Sequence, residues 1–500
     1  DVSHDSFLSR RLLNLLDCGE CKNDFVDLDV KTKSMVDEVL SIKLTETREG
    51  YLTDKNLFFA AFLNDEKENT YFSLSFFNDI TREFNPAYNT AVSFEEFNSG
   101  LKNGEENKNS LVIDKEKVIG WETYKGVERM GFIWSMIPIA GSRFGLRYAH
   151  KNVTKPMIIQ IMIGECYNCN SKLLFKPLVI KSINRWYFNG DTTIRKIIET
   201  DTGVRGTLFY PKDTSTKLPA VIDLFGTAGG IMEFRAALLA SHGIVCLSLP
   251  YFDYKDLPPS FFEIKIEYFE KAIEWLMSLP FVETKRGIGF CGVSYGGELS
   301  LEIGVFYPDK VSAVVAISTS DSNTNTTITK NSEEIPAIFP HYDKIETVKF
   351  EDERREFLKS IEGGYSHKVF SANDCTSNLL NESKSEELEA AKIKVENMKA
   401  SLLLISGGDD ANWPAFKFSR QIMDRLDYHK YSYPYQHNLY PKAGHLIEPP
   451  YAPFCSYSFH KIMSGAILWG GEGHHHNIAQ EHSWNNIIQF YKTTLSSARL

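Results

Sequence analysis

Gly292-Val293-Ser294-Tyr295-Gly296 holds a serine between two glycines, with a third, Gly297, directly behind. The pattern alone also fits an ordinary turn. Its setting separates the two, because an apolar run, Gly287 to Cys291, leads in and a helical run, Gly297 to Tyr307, leads out. A serine at a sharp strand-to-helix turn needs small neighbours around a strained backbone. Its hydroxyl then lies over the N–H groups that open the helix, where developing negative charge is favoured. The chemistry this placement suits is nucleophilic attack by Ser294 on a carbonyl carbon.

A serine nucleophile needs a base and an acid that orients the base, and at such an elbow both follow in chain order, each just after a strand. Gly407-Gly408-Asp409-Asp410 follows the apolar run Leu402 to Ser406, 116 residues beyond Ser294, and Ala443-Gly444-His445 comes 35 residues later. His445 is thus the expected base and Asp410 the expected acid, since the last residue of a G-x-x-D turn is the one delivered to the histidine; Asp409 is the alternative. Attack also creates an oxyanion that wants two N–H donors. The Tyr295 backbone is one candidate. The second comes from the Gly-rich turn Phe225 to Gly230, at the backbone of Gly226 or Thr227. No Lys-Ser/Thr pair follows that turn, which argues against a phosphate-binding loop.

These residues need a frame. From about residue 203, short apolar runs alternate with helical ones: Ala220 to Leu224, Glu233 to Ser241, Ile244 to Leu249, Glu263 to Leu279, Gly287 to Cys291, Gly297 to Tyr307, Val311 to Ser318. Leu402 to Ser406, a helix over Ala415 to Leu426, and Asn438 to Tyr440 complete the series. Such alternation predicts a doubly wound, mostly parallel sheet. Residues 320–400 form a polar insertion with one amphipathic helix near Glu386 to Met398, a candidate lid. The first 200 residues show strand-like runs instead, at Leu57 to Leu63, Tyr71 to Phe77, Met157 to Ile163 and Leu174 to Ile180, with a polar turn region at Asn98 to Asn109. They predict an all-β module of sandwich type.

Composition excludes several classes. The 500 residues carry a net charge of −10, which argues against nucleic acid or an anionic membrane as the main partner. There is no run of 18 apolar residues; the uncharged stretch Leu238 to Phe252 is interrupted by His242, Gly243 and Pro250. Phe7 to Leu16 has the makings of a targeting-helix remnant, but Asp1 and Asp5 fit a transit peptide poorly. Eight cysteines are too sparse for a disulfide scaffold. The pairs Cys18/Cys21 and Cys166/Cys169 lie too far apart for a zinc ribbon, and Cys246 and Cys291 read as buried reduced thiols. His474-His475-His476 is expected to be a solvated loop rather than a metal tract. The sequons at Asn152, Asn325 and Asn381 match chance frequency.

With these residues placed, the chain resembles the type I acyl-CoA thioesterase / bile acid-CoA:amino acid N-acyltransferase family. The likeness runs through Val204 to Phe209, Leu224-Phe225-Gly226-Thr227, Tyr268-Phe269-Glu270 and the elbow to Leu299. It continues in Asp409-Asp410-Ala411-Asn412-Trp413, Ala443 to Tyr451 and Trp469-Gly470-Gly471, and reaches Gly126 to Met136 in the first half. It implies a β-sandwich N-terminal domain over 35–202, after an extension of 34 residues, and an α/β-hydrolase domain over 203–500. It also implies acyl-CoA as substrate, with Asp410 as the acid and no metal or nucleotide cofactor. Thioesterases of the family carry serine at the elbow and the amino-acid-conjugating enzymes carry cysteine, so Ser294 implies hydrolysis to fatty acid and CoA. The alternative is N-acyl transfer to glycine or taurine. Ala498-Arg499-Leu500 fits a small–basic–leucine peroxisomal address, with the import receptor as a partner; cytosol and then mitochondrion are the other compartments.

Overall fold

The computed structural model describes residues 12–18, 26–40, 42–46, 55–77, short stretches between 83 and 143, 145–169, 172–350, 367–372, 380, 386–461 and 463–496. The expected turn at 98–109, residues Cys21 and Asn381, and the C-terminal tripeptide lie outside these residues.

The first part is built on β1 (Asn56–Asn64), β2 (Thr70–Phe77), β3 (Met157–Cys169) and β4 (Lys172–Trp186). They stand in the order β4-β3-β1-β2, each pair antiparallel. β1 is central and reads Asn-Leu-Phe-Phe-Ala-Ala-Phe-Leu-Asn, with all but the last residue buried. A strand covered on both faces has no polar side to show, which is why its sequence does not alternate. The strand Lys33–Met35 joins β4 in parallel. A separate three-stranded sheet contributes Val26, Leu28, Ile42 and Leu44 to the same core as Leu57, Phe59 and Ile159, so two sheets pack face to face as expected. Among the described residues, the helical segment 12–18 and the short helix Gly131–Trp134 interrupt the all-β pattern.

The second part contains β5 (Thr193–Glu199), β6 (Arg205–Pro211), β7 (Ala220–Leu224), α1 (Phe234–Ser241), β8 (Val245–Ser248), α2 (Ile266–Met277) and β9 (Ile288–Val293). Then come α3 (Tyr295–Phe306), β10 (Val311–Ile317), β11 (Ser401–Gly407), α4 (Ala415–Tyr428), β12 (Tyr435–Tyr440), β13 (Tyr457–His460), β14 (Gly465–Leu468) and α5 (Gly473–Leu495). Eight strands form one sheet in the order β5-β6-β8-β7-β9-β10-β11-β12. β5, β6 and β8 pair antiparallel and every later pairing is parallel. α1 and α5 pack on one face of this sheet, α2, α3 and α4 on the other. This is the doubly wound α/β-hydrolase arrangement. The α1/α5 face shares its core with the sheets of the first part, so the two parts meet through packed apolar side chains.

Three local expectations change. Glu263–Lys265 is a strand paired with Thr327–Lys330, so the helix expected from Glu263 starts only at Ile266. The helix expected over Glu386 to Met398 is split into Glu386–Ala391 and a 3-10 turn, Val395–Asn397, because the Ile393 N–H is drawn to the Asp321 carbonyl at 3.0 Å. The solvated loop expected at His474 to His476 is instead the first turn of α5. The stripe His476, Ala479, Gln480, Ser483, Trp484, Ile487, Ile488, Tyr491, Leu495 faces the interior.

Candidate active site

β9 ends at Val293 and α3 begins at Tyr295, leaving Ser294 alone at φ 57°, ψ −126°. That left-handed backbone is costly for a residue with a Cβ and persists where its surroundings fix it. Here the Ser294 N–H donates to the Ile317 carbonyl at 2.8 Å. The flanking glycines are obligatory: a Cβ on Gly292 would lie 2.0 Å from the Gly296 carbonyl oxygen, and one on Gly296 2.5 Å from that of Phe225.

Asp410 and His445 leave the ends of β11 and β12. The Asp410 Oδ2 lies 2.7 Å from His445 Nδ1, while its Oδ1 accepts the N–H groups of Asn412 and Trp413 at 2.9 and 3.2 Å. With both side chains buried, the Asp410 carboxyl group is satisfied by these three hydrogen bonds rather than by water. Asp409 turns away and accepts the Gly471 N–H at 2.9 Å. The His445 ring stacks on Trp469 (5.7 Å, 16°) and meets Trp413 edge-on (6.0 Å). The Trp413 indole donates to the Ser318 carbonyl, and the Ser318 hydroxyl donates to the His445 carbonyl, both close to 2.8 Å.

Ser294, His445, Tyr295, Gly226 and Thr227 line one cavity of about 210 Å³, whose other walls include Phe261, Ile345, Met463 and Ile467. Gly226 presses against the serine: a Cβ there would sit 3.1 Å from the Ser294 Cβ. The Tyr251 hydroxyl takes the carbonyl oxygens of Phe225 and Gly226 (2.8 and 3.1 Å), and Arg235, in a buried pair with Asp223, takes that of Leu224 at 2.9 Å. With its carbonyls tied down on one side, the turn keeps the N–H groups of Gly226 and Thr227 for other acceptors.

Three residues had not been read from the sequence as site residues. His476, 3% exposed, accepts the Gly444 N–H on Nδ1 (3.0 Å) and donates from Nε2 to the Leu446 carbonyl (2.9 Å), gripping both neighbours of His445. Its signal is its place at the head of the buried α5 stripe. Arg147, from the first part, reaches the cavity and pairs with Glu448, three residues past His445. His460, at the end of β13, lines the cavity beside Thr227. Burial and the nearby His445 both lower its pKa, keeping the ring neutral. No sequence pattern marks either of these two. Among the described residues Cys166, Cys246, Cys291 and Cys455 form no disulfide, and no group of three His, Cys, Asp or Glu could hold a metal ion. No helix among them is long and apolar enough to cross a membrane.

Sheet order and elbow define an enzyme of the α/β-hydrolase class. Residues 264–497 match the family described as BAAT / Acyl-CoA thioester hydrolase C terminal, and residues 115–199 its N-terminal region. Acyl-coenzyme A thioesterase 1 of Homo sapiens is 30% identical over 381 residues, covering 76% of this chain and 82% of the relative. The mitochondrial acyl-coenzyme A thioesterase 2 of Rattus norvegicus is 32% identical over 374 residues, covering 75% of each. The dienelactone hydrolase of Anabaena variabilis covers 51% of this chain and 88% of its own at 15% identity, with a TM-score of 0.29, too loose a likeness to bear on the chemistry. The chain belongs to the acyl-CoA thioester hydrolase/BAAT family.

Proposed function

We propose that this protein hydrolyses fatty acyl-CoA to free fatty acid and CoA through a covalent acyl-Ser294 intermediate. The observation that carries the reading is the 2.7 Å contact between the His445 Nδ1 and Asp410, with His445 lining the same cavity that Ser294 enters from a positive-φ elbow. Asp410 fixes the tautomer with the proton on Nδ1, so Nε2 is free to act as base. Ser294 Oγ bonds to the thioester carbon as its proton passes to His445 Nε2. The tetrahedral oxyanion is met by the N–H groups of Tyr295 and of Gly226 or Thr227. The C–S bond then breaks, and His445 returns the proton to the leaving sulfur. Water repeats the sequence on the acyl-serine ester: its oxygen bonds to the carbonyl carbon, its proton goes to His445 and on to Ser294 Oγ, and the fatty acid leaves. The apolar walls at Phe261, Ile345, Met463 and Ile467 suit an acyl chain. The functional division of the chain falls after residue 202, with the first part lending Arg147 to the cavity wall.

Serine rather than cysteine favours hydrolysis over amide formation, because amines attack an oxygen ester less readily than a thioester. The test is thiol release from acyl-CoAs of graded chain length, with the acyl product weighed by mass spectrometry with and without glycine or taurine. Free acid as sole product, lost in Ser294→Ala, is expected. Amide accumulating with added amine would move the enzyme to the acyltransferase side.

A further inference from the structure

We infer that the Thr227 side-chain hydroxyl is a third donor to the acyl oxyanion, and that His460 is the positioning residue that turns its proton toward the cavity. The inference rests on acyl transfer at Ser294 and deepens it. Both residues line the cavity that holds Ser294 and His445. Thr227 follows Gly226, which abuts the serine, and its Oγ1 lies 3.3 Å from His460 Nε2.

That contact holds one hydrogen, and the rest of the His460 ring decides whose it is. If Thr227 donated, the ring proton would sit on Nδ1, which is buried and has no hydrogen-bond partner among the described residues. A buried orphan donor is the costlier and rarer defect; an orphan lone pair is better tolerated. The proton therefore belongs on Nε2, and His460 donates to Thr227. Thr227 then accepts through one lone pair and keeps its own proton for another acceptor. Among the described residues the Thr227 hydroxyl contacts no acceptor besides His460, and the Phe225 and Gly226 carbonyls face the Tyr251 hydroxyl instead. What the hydroxyl can still reach is the cavity, where the acyl oxygen becomes an anion.

The ring is held for this task. Trp469 stacks on His445 and meets His460 edge-on at 6.0 Å, while its indole N–H donates at 2.7 Å to Ser458 on the same strand as His460. Base and positioning residue thus share one aromatic wall. Burial and the neighbouring His445 hold the His460 pKa down, which suits a fixed donor and not a second general base.

The test uses the full chain and a long-chain acyl-CoA. Thr227→Val keeps the shape and removes the donor; kcat should fall roughly ten- to a hundredfold with KM nearly unchanged, while the unfolding temperature falls because the His460 N–H loses its acceptor. Thr227→Ser should recover most of the loss. His460→Phe should cost a similar factor, His460→Gln should recover part of it by donating an amide N–H, and Thr227→Val/His460→Phe should be no worse than the poorer single variant, as for two residues acting as one unit. A Thr227→Val enzyme with unchanged kcat, or losses that multiply in the double variant, would overturn the inference. Should His460→Phe not fold, Thr227→Val against Thr227→Ser still decides. Ser294→Ala in parallel separates the two levels. Activity abolished there but untouched in Thr227→Val removes only this inference, whereas turnover surviving in Ser294→Ala removes the acyl-serine reading beneath it.

Discussion

Asp410 offers one carboxylate oxygen to the His445 ring and the other to two backbone N–H groups, whereas Asp409, one residue earlier, spends its carboxylate on the Gly471 N–H. Asp410→Asn presents an amide N–H to His445 and so favours the wrong tautomer; kcat should fall about 10³- to 10⁴-fold. Asp409→Asn should stay within a few-fold of the parent in the same steady-state assay. His476 gives a second prediction at this scale. Its ring accepts from Gly444 and donates to Leu446 at once, so His476→Leu orphans the buried Gly444 N–H and takes one of two donors from the Leu446 carbonyl, which keeps the Glu448 N–H. The expected cost is about 1–3 kcal/mol of stability for the orphaned N–H and roughly a tenfold or greater loss in kcat from misplacement of His445. Because a carboxamide presents an acceptor and a donor at similar spacing, His476→Gln should regain part of both. Equal losses in Gln and Leu would show that ring packing, not hydrogen bonding, matters there.

At the scale of elements, α3 places its first N–H at the elbow while burying two carboxyls. Glu298 is satisfied by the backbone N–H and hydroxyl of Thr324. Glu302 is 4% exposed, and burial alone pushes its pKa up to about 8 from 4.5. Between those values the folded protein holds a proton that the unfolded chain has released, so stability falls as pH rises through that window. Glu302→Gln should therefore raise the melting temperature by a few degrees at pH 8 and by almost nothing at pH 5, read by calorimetry. A gain independent of pH would contradict it. The strands around the elbow were legible because a parallel strand buried on both faces reads as a nearly continuous apolar run, as in β9, in β10 apart from Ser312 and in β11 between Ser401 and Ser406. α5 was not, because the first half of its buried stripe is His476, Ala479, Gln480 and Ser483, which carry no hydrophobic period. The order Ser294, Asp410, His445 could be read because each stands at the end of a strand. Arg147, His460 and His476 could not, since they reach the site only through tertiary packing.

Across the whole molecule, the first part braces the segment that follows His445. Arg147 pairs with Glu448, the Phe454 N–H donates to the Trp134 carbonyl at 2.8 Å, and the Phe459 N–H to that of Gly145 at 2.9 Å. At the other end of the contact, Asp37 accepts from the Trp484 indole on α5 and pairs with His242. The Arg147–Glu448 pair is partly shielded, with side chains 26% and 14% exposed. Removing one partner strands the other charge, so Arg147→Met should cost about 1–3 kcal/mol and lower kcat severalfold. Arg147→Met/Glu448→Leu should recover stability relative to either single change, because no uncompensated charge is left. Chemical denaturation of the three variants reads the order. A double variant poorer than both singles would mean that the pair is worth its attraction and not merely its neutralisation.

The most direct measurement on the central claim is rapid acid quench of the enzyme during turnover of a long-chain acyl-CoA, followed by mass mapping of its peptides. The acyl group should be found as an ester on the peptide containing Ser294. It should accumulate transiently in the parent enzyme and be absent from Ser294→Ala. An acyl group on another residue, or full turnover by Ser294→Ala with no adduct, would contradict the account.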